Sequence, residues 1–116
     1  MPPKPTKLSE TERDILIACR ALERDIEKIP DPPKEDFWGR EDLREEREFG
    51  PRYAPSRWFN GGIPLSNRRR VRFLRAVHRL CAAGLLVGTH GEGGRLSHLK
   101  LTPEGMAALG SRAKKT

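Results

Sequence analysis

Between Ser66 and Gly84 the chain carries six arginines and no acidic residue, interleaved with Phe73, Leu74, Val77, Leu80 and Cys81. At about 100° per residue, Arg68, Arg72, Arg75 and Arg79 fall within about 60° of one another, and the apolar residues fall between about 120° and 240° from Arg68. A helix over 66–83 with that pattern must bury one face and leave a guanidinium ridge on the other. Ser66 is a fitting N-cap, and Gly84 a fitting left-handed stop. Solvated helix faces usually mix signs, because like charges at i,i+4 each cost a few tenths of a kcal/mol. A ridge with no acid therefore calls for an external polyanion. Arginine suits that role, since its planar fork makes paired hydrogen bonds to phosphates and to guanine edges. Arg69 and Arg70 add charge at the first turn.

The charge balance of the whole chain agrees. Residues 1–50 hold 10 Lys/Arg and 14 Asp/Glu, whereas residues 51–116 hold 13 Lys/Arg against Glu92 and Glu104 alone. The net charge of +7 is thus carried by the second half, which favours nucleic acid as partner. No basic amphipathic segment has the exposed aromatic face that lipid insertion needs, and no apolar run is long enough for a span, so no membrane is expected. The N-terminus MPPKPTK lacks the apolar stretch of a signal peptide. The expectation is a soluble, cytoplasmic protein, nucleoid-associated if bacterial.

The 116 residues suffice for one compact domain. Residues 1–7 read as a flexible arm, 8–110 as a single domain and 111–116 as a basic tail. Ser9 and Glu12 form an S-x-x-E capping box, followed by an apolar stripe at Ile15, Cys19, Leu22, Ile26 and Ile29 that Pro30 ends. Residues 30–64 are broken by prolines and glycines and read as irregular or insertion-like, with a charged helix over 35–49 as one reading. Tyr53, Trp58 and Phe59 there pin the segment to a small core more readily than they stack on bases. After Gly84, Leu85–Thr89 and Arg95–Leu101 read as a β-hairpin across the glycine-rich tip 90–94. Leu86, Leu99 and Leu101 close the core, while Arg95 and His90 can approach a phosphate or the minor groove. Thr102-Pro103 starts a short last helix. The fold class expected is α+β, mainly helical.

The run Val77-His78-Arg79-Leu80-Cys81-Ala82-Ala83-Gly84-Leu85-Leu86, then a hairpin, then Leu101-Thr102-Pro103-Glu104-Gly105, resembles the winged helix-turn-helix proteins, including MarR- and PadR-like regulators. The resemblance covers residues 65–110. It implies a recognition helix (66–83) in the major groove of double-stranded DNA and a wing (86–101) on the backbone or minor groove. The expected DNA-binding residues are Arg68, Arg69, Arg72, Arg75, Arg79 and Arg95, and the expected role is sequence-specific transcription regulation. The chain departs from a compact helix-turn-helix in the 35 residues between Pro30 and Ser66. Either the acidic 40–49 or a turn at Ser56–Asn60 supplies the helix before the recognition helix.

An enzyme needs convergent nucleophiles, bases or ligands. His78 and Cys81 have i,i+3 spacing but no further ligands near them in sequence, and the glycines at 91, 93 and 94 do not follow a strand–loop–helix phosphate-binding pattern. No catalysis, metal or cofactor is expected. Cys19 and Cys81 read as small buried thiols, not a disulfide. The first helix has surplus apolar surface that could pair two copies across a two-fold axis. A protein-interaction or RNA-binding module, using the acidic 35–48 segment or the arginine ridge, stays open as the alternative.

Overall fold

The computed structural model describes residues 8–113. The expected arm 1–7 and the tail lysines Lys114 and Lys115 lie outside them. Among the described residues the chain is α+β and mainly helical, with five α-helices and a two-stranded antiparallel hairpin. No helix there is long and apolar enough to cross a membrane.

Helix α1 (Glu10–Lys28) begins at the capping box. The Ser9 Oγ accepts from the Glu12 amide at 3.1 Å, and Glu12 Oε1 accepts from the Ser9 amide at 2.9 Å. Its stripe buries Ile15, Leu16, Cys19 and Ile26. Ile29, expected on that stripe, is instead the extended C-cap and is 44% exposed, because the chain leaves the helix ahead of Pro30.

The segment 30–64 is more ordered than its prolines suggest. Both candidate helices form. Helix α2 (Phe37–Phe49) is capped by Asp36, whose carboxylate accepts from the Gly39 amide at 2.9 Å. It buries little besides Leu43 and packs on α1 and the hairpin. Gly50 then takes φ +93°, a conformation open to glycine, with its Cα so close to the Leu99 carbonyl that no side chain would fit. This turn brings Pro51–Tyr53 alongside the hairpin. The Leu99 amide donates to the Pro51 carbonyl at 3.1 Å, the Tyr53 amide donates to the Ser97 carbonyl at 2.8 Å, and Arg52 bridges His98 in antiparallel fashion. Helix α3 (Pro55–Asn60) follows at once, with proline in its first turn and Gly61 as a left-handed stop.

Helix α4 (Asn67–Ala82) starts at Ser66, which accepts from the Arg69 amide. It ends in a Schellman turn: the Gly84 amide donates to the Cys81 carbonyl and the Leu85 amide to the Leu80 carbonyl, with Gly84 at φ +78°. Strands β1 (Leu86–His90) and β2 (Leu96–Leu101) pair in register Leu86↔Leu101 to Thr89↔His98, and a single 3₁₀ turn (Glu92–Gly94) forms the tip. Arg95, expected as the first residue of the returning strand, belongs to the tip. Helix α5 (Pro103–Ala113) is started by Thr102, whose Oγ1 accepts from the Gly105 amide and donates to the Gly84 carbonyl at 2.6 Å. It runs into the stretch expected as tail.

The core joins α1, α4, the hairpin and α5 through Ile15, Leu16, Cys19, Phe73, Ala76, Val77, Leu80, Leu86, Leu99, Leu101 and Leu109. Tyr53, Trp58 and Phe59 pack against it, as pins for the α3 segment. The Phe59 and Phe73 rings stack with centroids 4.4 Å apart, which locks α3 to α4. One expectation about α4 is corrected here. Leu74 is 39% exposed and Cys81 only half-buried, whereas Ala76 is fully buried. The buried face is centred on Phe73, Ala76, Val77 and Leu80, which rotates the helix by about 50° from the orientation that the larger apolar residues suggested.

Candidate nucleic-acid interface

With the core at that angle, the outermost strip of α4 is Asn67, Val71, Arg75 and His78, with Leu74 and Arg68 at its two edges, all exposed. Arg68, Arg72, Arg75 and Arg79 still stand in one row, and they line a shallow groove together with Asn67 and Val71. The row is a flank of the exposed surface instead of its crest. Among the described residues, no carboxylate lines this groove or pairs with Arg68, Arg72 or Arg75. Their mutual repulsion is therefore not relieved from within.

Arg79 differs. Its Nε lies 3.4 Å from Glu12 Oε2, a carboxylate with only 12% side-chain exposure. Burial alone would raise the Glu12 pKa, but the Ser9 backbone and side-chain hydrogen bonds and the Arg79 guanidinium together hold it below its ordinary value. Arg69 stands apart from the row: its guanidinium sits over the Phe73 ring at 6.0 Å from the centroid.

On the other flank a second groove separates α4 from the hairpin tip. Its walls are Asn67, Arg70, Val71, Leu74 and His78 from the helix and His90, Gly94, Arg95 and Leu96 from the hairpin, with Tyr53 and Pro55 at one end. Its cavity measures about 710 Å³. Arg70 faces Arg95 across it, and no carboxylate lines it among the described residues. Sequence reasoning counted Arg70 only as added charge, since the contribution of the hairpin to this groove leaves no local trace in the sequence. Of the six residues expected to bind, Arg68, Arg72, Arg75 and Arg79 come together, Arg95 stands across the second groove, and Arg69 is set apart.

The remaining reactive groups are occupied with packing. Cys19 Sγ lies 3.6 Å from both Glu23 Oε2 and the Leu99 carbonyl, and burial with the neighbouring carboxylate pushes its thiol up. Burial likewise raises the Cys81 thiol. Neither has the lowered pKa of a nucleophilic thiolate. His98 is buried against Phe49, with Nδ1 2.9 Å from Ser97 Oγ. Burial pushes the Tyr53 phenol up to about 12, so it stays protonated. Among the described residues no three His, Cys, Asp or Glu side chains gather as metal ligands.

The chain matches no protein-family model, and comparisons with curated proteins and with solved structures find no match.

Proposed function

We propose that this protein binds double-stranded DNA as a small transcriptional regulator of the winged helix-turn-helix type, with α4 in the major groove and the hairpin as a wing on the backbone or minor groove. The observation that carries the reading is the unneutralised row Arg68, Arg72 and Arg75 on the exposed side of α4, next to a hairpin tip that presents Arg95. A short helix followed, across a six-residue connection (61–66), by a longer, basic one is similar to the arrangement by which such proteins set a helix into DNA. The stacked Phe59 and Phe73 tie α3 to α4, and the backbone bonds of Pro51–Tyr53 tie the chain ahead of α3 to the hairpin.

The acidic segment 35–48 supports a charged partner less well. Arg44 pairs with Glu41 and Glu48 at 3.0 Å each, and Arg52 lies 4.0 Å from Asp42, so part of its charge is met locally, whereas among the described residues no carboxylate pairs with Arg68, Arg72 or Arg75. The direct test is titration of a labelled duplex with the parent and with an Arg72→Ala/Arg75→Ala variant. The reading requires a large loss of affinity with the melting temperature unchanged. Equal affinities would overturn it.

A further inference from the structure

Two exposed apolar side chains sit where a solvated helix would carry polar ones. Val71 is 45% and Leu74 39% exposed, about one turn apart on the exposed side of α4. They cover no core. Both instead line the groove between α4 and the hairpin tip, together with Tyr53 and Leu96. Cationic groups flank the Val71–Leu74 pair on both sides, Arg68, Arg72 and Arg75 on one and Arg70 and Arg95 on the other.

A polyanion held by arginines on both sides of this pair lays the groups between its charges against the two apolar side chains. The major groove of B-form DNA does so: two phosphate strands border a floor of base edges, and thymine alone among the four bases adds a methyl group there. Duplex RNA does not, because its major groove is too deep and narrow for side chains and uracil lacks the methyl. Resting on the DNA-binding reading, we infer that Val71 and Leu74 are specificity-determining residues that pack against thymine 5-methyl groups, while the flanking arginines hold phosphates.

Burying one methyl is worth about fourfold in affinity. The test uses the full chain. Tight binders are enriched from a random-sequence duplex pool, and in the tightest duplex each thymine is replaced in turn by deoxyuridine, which keeps the pairing and removes only the methyl. One or two replacements should weaken the parent about fourfold each. Each such replacement should lose its effect on the variant, Val71→Ala or Leu74→Ala, whose missing side chain met that methyl, both variants melting like the parent. Tight binding with no response to deoxyuridine anywhere would overturn this assignment and leave DNA binding standing. An undiminished response in both variants would likewise overturn it. Failure to bind any duplex would overturn both readings, as would equal binding of the same sequence as duplex RNA overturn the thymine contact.

Discussion

Glu12, in the first turn of α1, lies 3.4 Å from Arg79, in the last turn of α4, and so closes a helix cap and neutralises one end of the arginine row with the same carboxylate. The pair joins elements 67 positions apart. It also makes Arg79 unequal to the arginines before it. Arg79→Ala should cost at most about 1 kcal/mol of stability, because the guanidinium is 55% exposed. Its effect on DNA affinity should be smaller than that of Arg72→Ala, and titrations of both variants on one duplex would check the order.

The same carboxylate gives the fold a pH dependence. The folded pKa of Glu12 lies below its ordinary 4.5. Its stabilising contribution is therefore complete above that value and is lost as pH falls through the folded pKa. Glu12→Gln should melt lower than the parent at neutral pH, and the difference should shrink when both are melted in increasingly acid buffer. A gap that widens on acidification would contradict the assignment.

The corrected rotation of α4 separates two leucines that look alike in the sequence. Leu80 is 1% exposed and Leu74 39%. Leu80→Ala should destabilise by about 2–5 kcal/mol through cavity formation. Leu74→Ala should stay near the roughly 0.5 kcal/mol of a surface position. Denaturant unfolding of the two variants reads the difference.

How far the sequence told this in advance depends on how local each signal is. Ser9 with Glu12, Ser66 with Arg69, and Thr102 with Gly105 are contacts between near neighbours, and each marks a helix start found in the structure, while Gly84 at φ +78° marks the end of α4. The rotation of α4 was misjudged because side-chain size was taken as burial. Ala76 is small yet fully buried, and Leu74 is large yet exposed. The pairing of Pro51–Tyr53 with β2 was hidden, since three residues carry no periodicity and their partners lie some 46 positions on. Arg70 and Arg95 were legible as charges but not as two walls of one groove.

That hidden pairing makes a prediction at Gly50. A Cβ there would collide with the Leu99 carbonyl oxygen, and φ is +93°. Gly50→Ala should cost well over about 1 kcal/mol by displacing Pro51–Tyr53 from β2. Hydrogen exchange should show the Leu99 and Tyr53 amides losing protection first. Parent-like stability and exchange would mean that the close approach is not needed to hold this segment.

The salt dependence of duplex binding tests the central claim most directly. The candidates for phosphate contact are now Arg68, Arg70, Arg72, Arg75 and Arg95, with Arg79 already paired to Glu12. If these neutralise about five phosphates, log K for a labelled random duplex should fall against log salt with a slope near −4.5. That amounts to about 500-fold between about 50 and 200 mM, and Arg72→Ala should flatten the slope by about one. A flat response, or no binding at about 50 mM salt, would contradict the account.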